Sequence, residues 1–146
     1  MTNKVETIIQ AITTKLTAAG ILAVIRYPED LPKVGNRYPM ALIKEERQDY
    51  IATSGQRYEY NLFITITLVS DRPTSRMKYM NDLQVLVFNQ LFPDCTLGGT
   101  VRNINPVAVN MGGLIRGSDL SGLPGFTDTN TFREITLQCL VQDSRL

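Results

Sequence analysis

An alternating run of side chains over residues 57–69 constrains the fold of this chain more than any other feature. Large apolar and aromatic residues occupy one parity of the run, and mostly polar residues occupy the other. The first set is Tyr58, Tyr60, Leu62, Ile64, Ile66 and Leu68; the second is Arg57, Glu59, Asn61, Thr65 and Thr67, with Phe63 and Val69 as exceptions. Successive side chains of a β-strand point to opposite faces, so the pattern predicts a strand with one buried face.

This strand is unusually long. At about 3.3 Å per residue it would extend roughly 43 Å, whereas strands usually contain about 3 to 10 residues. We expect it to project beyond its own core and to meet neighbouring molecules. A long bent strand in an ordinary sheet is the alternative interpretation.

Length and composition predict one globular domain over residues 1–146. The hydrophobic fraction of 43% and the charged fraction of 20% are typical of soluble globular proteins. No apolar run approaches the roughly 20 residues of a membrane span, so we expect no membrane contact. The first residues lack the order of a secretory signal, and cytoplasmic synthesis is the expectation.

Several functional classes are disfavoured by residue usage. The chain has no histidine, which removes the commonest general base and the commonest transition-metal ligand. Cys95 and Cys139 stand far apart, and we interpret them as reduced thiols, with Cys139 buried. A formal net charge of +1 offers no excess for binding phosphates. We therefore predict no enzyme, no metal, no cofactor and no sequence-specific binding of nucleic acid.

Two amphipathic helices are predicted. The first covers residues 4–18, with a capping pair at Asn3 and Glu6 and a termination signal at Gly20. The second begins among residues 71–75 and ends before Pro93. The apolar stripes are Val5, Ile8, Ile9, Ile12 and Leu16 in the first helix, and Met77, Met80, Leu83, Val87 and Leu91 in the second, widened by Leu86 and Phe88. Both stripes are typical of helices that lie on a core.

The remaining strands are short or irregular. Residues 21–27 and 39–44 have strand composition and flank a loop over 28–38, and the charged residues 45–56 are predicted to be a turn region. The strand at 39–44 and the long strand would then form a projecting antiparallel hairpin. Residues 100–110 form a strand interrupted by Pro106, which places it at the rim of the sheet, where another subunit can bind.

The last third of the chain contains a long loop and a closing strand. Residues 111–130 mix five glycines with large apolar residues and lack a phosphate-binding glycine motif, so we expect this loop to become ordered against a partner. Residues 132–142 match the long strand in alternation, and we expect the two to be neighbours. The prediction is an α+β fold: a mainly antiparallel sheet with two helices packed on one face and a long projecting β-hairpin.

This order of elements resembles the tail-terminator (tail-completion) proteins of long-tailed bacteriophages. The resemblance lies in layout and spacing rather than in one diagnostic motif. It includes the N-terminal helix, the run Arg-Tyr-Pro-Met-Ala-Leu-Ile at residues 37–43, the charged hairpin end, the long strand, Asp-Arg-Pro at 71–73 before the second helix, and Arg-Glu-Ile-Thr-Leu at 133–137.

The resemblance implies a structural virion protein of the tail or neck, assembled in the host cytoplasm. It implies a homohexameric ring that sits on the last ring of the tail tube protein, stops tube polymerisation and offers a docking surface to the head-completion or neck protein. DNA would pass through the ring lumen. Other phage neck and tail ring components, such as head–tail connector or tube-like proteins, share a related layout and remain alternatives.

A ring of identical chains needs two different patches that engage each other. The irregular, mixed-charge stretches are the candidates: Arg47, Asp49, Tyr50 and Arg57 at the hairpin end, and Leu114, Arg116, Asp119 and Phe126 in the long loop. Carboxylate pairs, Glu45 with Glu46 or Asp119 with Asp128, keep an enzyme or small-ligand protein as a competing class. An adaptor that binds one partner without forming a ring is a third.

Overall fold

A computed structural model describes residues 4–26, 37–54, 57–110 and 130–144. These residues form two α-helices and one five-stranded sheet. In chain order the elements are α1 (Lys4–Ala18), β1 (Ala23–Arg26), β2 (Met40–Ser54), β3 (Arg57–Ser70), α2 (Arg76–Leu91), β4 (Asn103–Asn110) and β5 (Thr131–Ser144). The strand order is β1-β2-β3-β5-β4, with β1 parallel to β2 and the other pairs antiparallel. The predicted α+β class is confirmed.

The long strand, β3, is the centre of the sheet. It pairs with β2 on one side and with β5 on the other along its whole length, so the predicted proximity of the long and closing strands is confirmed. One parity of β3 packs beneath the helices, and its buried hydrophobic members are Tyr60, Leu62, Ile64, Ile66 and Leu68. The alternation in the sequence therefore marks the main core, as predicted.

Both helices cover the same face of the sheet. α1 begins and ends where the sequence predicted, and its stripe of Ile8, Ile9, Ile12 and Leu16 is buried. Gly20 follows with a φ of 97°, a left-handed conformation that glycine adopts without strain. α2 begins at Arg76, slightly later than the start signals at residues 71–75 suggested, and Pro93 lies just beyond its end.

The hairpin is more regular than predicted. Residues 45–54 continue β2 as a strand, so the predicted turn region was too long. Pairing with β3 overrides the weak β-propensity of this charged segment. Two register shifts, which leave Glu46 and Ile51 without a partner in β3, accommodate the mismatch as β-bulges. β5 runs beside β3 to the same end of the hairpin, where Arg57 lies opposite Ser144.

A second, smaller cluster lies on the other face of the sheet. It contains Ile25, Met40, Leu42, Val69 and Phe132. Val69 broke the parity of the long strand because it belongs to this cluster rather than to the main core. The remainder of this face carries mostly polar side chains, and we call it the open face. Among the described residues, no helix is long and apolar enough to cross a membrane.

Candidate assembly surfaces

The hairpin residues proposed from sequence fall on both faces of the sheet. Arg47 lies opposite Phe63 in the β2–β3 register, and Asp49 lies opposite Asn61, so both belong to the open face. The Arg47 Nε atom lies 3.0 Å from Asp49 Oδ2, and the Arg47 guanidinium lies 4.2 Å from the centre of the Phe63 ring. This contact between the guanidinium and the ring explains why an aromatic residue, Phe63, occupies the polar parity of the long strand.

Tyr50 lies on the helix side of the sheet instead. It pairs with Tyr60 across the hairpin, and its ring centre lies 5.3 Å from that of Tyr60 and 6.2 Å from that of Tyr58. Tyr60 is buried, whereas Tyr50 is 59% exposed. The aromatic cluster therefore extends the main core outward to a solvent-facing ring near the end of the hairpin.

The other candidates can be placed only in part. Arg57 pairs through its backbone with Ser54 and Ser144 at the end of the hairpin. The proposed loop residues Leu114, Arg116, Asp119 and Phe126 lie outside the described residues, as does all of the predicted loop except Asn130. Asn130 is buried and donates from Nδ2 to the Ser70 carbonyl at 3.3 Å.

One edge of the sheet is formed by the second half of β2. β1 pairs only with Met40–Ile43, so residues 44–54 have β3 on one side and no paired strand among the described residues on the other. Charged side chains crowd the start of this edge. Glu45 binds Arg26, which also contacts Glu6 at 2.6 Å, and Lys44 Nζ lies 3.9 Å from Glu46 Oε1. These ion pairs leave little uncompensated charge along the edge.

β4 forms the opposite edge of the sheet. Within the described parts of the chain it pairs with β5 alone, and a register shift between Pro106 and Ala108 leaves Val107 as a bulge that is 51% exposed. The rim position predicted from Pro106 is thus confirmed. None of the eight residues of β4 carries a charge.

Exposed apolar side chains also lie on α2. Leu86 was predicted to widen the buried stripe of this helix, and that prediction was wrong because Leu86 is 51% exposed. Met77 was also assigned to the stripe, and that prediction was wrong because Met77 is 40% exposed in the first turn of the helix. Val85 is exposed as well, while Phe88 packs against the core as expected. α2 therefore presents a partly apolar outer side as well as its buried one.

The carboxylate pairs suggested for the competing enzyme class do not converge within the part of the chain that is described. Glu45 and Glu46 bind different cations, Arg26 and Lys44. Asp119 and Asp128 lie outside the described residues. No group of three or more His, Cys, Asp or Glu side chains that could hold a metal occurs among the described residues.

A cavity of about 320 Å³ opens at the end of the sheet near the start of α2. Its walls are formed by Tyr38, Pro39, Ser70, Asp71, Arg72, Pro73 and Tyr79. Burial raises the pKa of Tyr38, and the negative charge of Asp71 acts in the same direction, while a hydrogen bond with Asn130 opposes them. Asp71 is the single carboxylate among the described residues of the wall, and these residues do not form a carboxylate pair for acid–base catalysis.

Sequence analysis missed a buried arginine. Arg133 lies opposite Leu68 on the helix side of the sheet, is 1% exposed, and donates from Nη1 to Asn81 Oδ1 at 2.6 Å and Gln84 Oε1 at 3.0 Å. Desolvation lowers its pKa. A signal was present, since residue 133 shares the parity of Ile135 and Leu137, the apolar residues of the alternating segment 132–142.

Comparisons with known proteins identify a shared fold. No family model matches the chain, and no curated protein matches it. Among solved structures, the chain is similar to one described as the virion of a native gene transfer agent (GTA) particle, with a TM-score of 0.58 and 8% sequence identity. The match covers 92% of this chain and 93% of that chain. At this identity the likeness establishes the fold alone.

Proposed function

We propose that this chain is a structural component of a phage-like virion, without enzymatic activity. The observation that carries this proposal is the fold shared with a chain of a gene transfer agent virion, because it extends over nearly the full length of both chains. The element order had led to a phage structural protein independently. A virion component needs surfaces for assembly rather than a catalytic centre, and the exposed apolar side chains of β2, β4 and α2 support such a role.

More specifically, the chain forms a homohexameric ring that caps the tail tube, stops tail polymerisation and provides the surface that joins the head. Ring closure from one kind of chain requires a heterologous contact, in which one patch meets a different patch on the next subunit. The sheet supports such an arrangement because two different segments form its opposite edges among the described residues: residues 44–54 of β2, which include charged side chains, and the uncharged strand β4.

The proposed partners follow from this role. One side of the ring binds the last ring of the tail tube protein, and the other binds a head-completion or neck protein. DNA passes through the lumen without sequence-specific contacts, in keeping with the formal net charge of +1. The ring belongs to the tail or neck of the virion and assembles in the host cytoplasm.

The candidate residues from sequence remain a proposal for contacts within the ring. Arg47, Asp49, Tyr50 and Arg57 of one subunit would engage Leu114, Arg116, Asp119 and Phe126 of its neighbour. Arg47 and Asp49 are more than half exposed, so both are accessible to a neighbour. Charge reversal at both Arg47 and Arg116 is expected to disrupt the ring, and an intact ring in that variant would contradict this pairing.

Native mass spectrometry across a concentration series, with negative-stain images of the same sample, tests the ring. The expected result is a species of six times the 16.4 kDa chain mass with annular class averages. A monomer at every concentration would contradict the proposal.

The capping role is tested by adding the rings to polymerising tail tubes, which should stop growing. Continued elongation in the presence of rings would instead indicate another neck or tail ring component.

A further inference from the structure

We propose that the ring is held together by its two open sheet edges. β4 of one subunit lies antiparallel beside the outer end of β2, residues 50–54, of the next. This inference rests on the proposed ring and names the interface that closes it. It gives the outer edge of each strand a pairing partner that the described residues of the same subunit do not supply.

The β4 edge lacks the charged side chains that guard many edge strands, and its protection against pairing is limited to one proline and one bulge. Natural edge strands are commonly guarded by charged side chains, proline or bulges. β4 has no charged residue, and only Pro106 and the bulge at Val107 interrupt it. Val107 is 51% exposed, and its neighbours from Asn105 to Ala108 are exposed as well. An uncharged edge with a protruding valine is suited to permanent coverage by a partner.

The end of β2 has matching chemistry. Residues 50–54, Tyr-Ile-Ala-Thr-Ser, carry no charge, and Tyr50 and Ile51 are 59% and 56% exposed. Ile51 occupies the second β2 bulge, as Val107 occupies that of β4. The preceding Arg47 is paired with Asp49 at 3.0 Å. Each edge therefore combines an uncharged stretch with a bulged, solvent-facing aliphatic residue.

The geometry of the sheet allows the two edges to meet. β2 and β4 run in opposite directions, because three successive antiparallel pairings separate them in the order β2-β3-β5-β4. A rotation about an axis roughly along the strands would therefore place β4 of one subunit antiparallel to β2 of the next. Eight residues of β4 extend about 26 Å, and residues 44–54 of β2 offer about 36 Å of edge that no other described strand pairs with.

The bulges limit how such a contact forms. Pro106 cannot donate a backbone hydrogen bond, and each bulge breaks the regular ladder, so main-chain pairing between subunits would be short. Contact between Ile51 and Val107 then contributes the apolar part of the interface. A short ladder with one aliphatic contact specifies register better than a long, uniform edge does.

Lysine substitutions at the two bulges test the interface. A lysine on an edge strand opposes strand addition, so Val107→Lys and Ile51→Lys should each raise the concentration needed for ring formation by about tenfold or more. Val85→Lys is the matched control, because Val85 is 57% exposed on α2 and belongs to neither edge. Native mass spectrometry provides the readout, and circular dichroism checks that each variant folds.

Mixing the two edge variants gives a sharper result. The Val107→Lys chain retains a functional β2 edge, and the Ile51→Lys chain retains a functional β4 edge. At a concentration where each variant alone is monomeric, an equimolar mixture is therefore expected to form a one-to-one heterodimer. Self-pairing of like edges would instead leave dimers of one single variant, and that result would overturn the proposal.

The outcomes also separate this interface from the ring itself. If the wild-type chain forms rings and both lysine variants form them equally well, the edge interface is overturned and the proposed ring is retained. If the wild-type chain forms filaments and the lysine variants do not, the edge contact is supported and ring closure is contradicted. A wild-type chain that stays monomeric throughout the series would overturn both. Should Val107→Lys fail to fold, Ile51→Lys tests the same contact from the opposite edge.

Discussion

The two faces of the sheet differ in what they contribute to the molecule. The helix-covered face contains an extensive buried core, with Leu62, Ile64 and Ile66 at its centre on β3. The open face has a small apolar cluster at one end and polar side chains elsewhere. Residues that stabilise the subunit are thus concentrated on one face. No described helix covers the other face, and the two sheet edges have no further partner strand among the residues that the structure describes.

Alanine substitutions at two adjacent residues of β3 should give the largest difference between the faces in the free energy of unfolding. Ile64 is fully buried on the covered face, and Ile64→Ala is expected to lower the free energy of unfolding by about 2–5 kcal/mol through lost burial and a cavity. Phe63 lies on the open face under Arg47, and Phe63→Ala should cost about 1 kcal/mol or less. Urea denaturation measures both. Equal losses would show that the open face is also a core.

The buried arginine tests whether the covered face depends on its polar contacts. Asn81→Ala removes one acceptor from a buried guanidinium and should cost about 1.5–3 kcal/mol. Arg133→Met removes the charge itself together with the buried Nε and Nη2 groups, which have no hydrogen-bond partner in the described structure. We expect this variant to be neutral or more stable, by up to about 4 kcal/mol. Greater destabilisation by Arg133→Met than by Asn81→Ala would contradict this account.

An ion pair on the open face should have little effect on folding. Arg47 and Asp49 have side-chain exposures of 61% and 52%, and such exposed pairs contribute about 0–1 kcal/mol. Asp49→Asn should therefore leave the free energy of unfolding nearly unchanged at both low and high salt. The same variant should weaken subunit association, which sedimentation velocity would measure. A large loss of stability would assign Asp49 to the fold rather than to assembly.

Local patterns in the sequence predicted the features that depend on local physics. Alternation identified β3 and its buried face, Gly20 marked the end of α1, and Pro106 placed β4 at a rim. Each of these follows from a property of one residue or from a short periodicity. The fold class could be assembled from such elements without knowledge of any long-range contact.

Sequence analysis missed features that depend on contacts with distant elements of the same chain. Residues 45–54 read as a turn because their charges are unfavourable in strands, yet β3 supplies a full partner strand. The parallel pairing of β1 with β2 was not foreseen, since the hairpin and the closing strand suggested only antiparallel pairs. Leu86 has the spacing of a core residue but faces outward, because the buried stripe of α2 is narrower than its composition suggests.

Thiol labelling provides the smallest perturbation and the most local test of the two faces. Cys139 points into the main core, where burial raises its pKa to about 12. At pH 8 only about one such thiol in ten thousand is ionised, and the thiolate is the reactive form. Cys95 is exposed, so the native protein should consume one equivalent of iodoacetamide and the denatured protein two.

Position 140 supplies the matched control for this experiment. Leu140 follows Cys139 on β5 and lies opposite Asn61 on the open face. In a Cys95→Ser background, Leu140→Cys should therefore be labelled in the native state at least about 100-fold faster than Cys139, since its thiol retains an ordinary pKa and contact with solvent. Equal labelling rates at the two positions would mean that β5 separates from the helices under native conditions, and the division between the faces would then be conditional on subunit assembly.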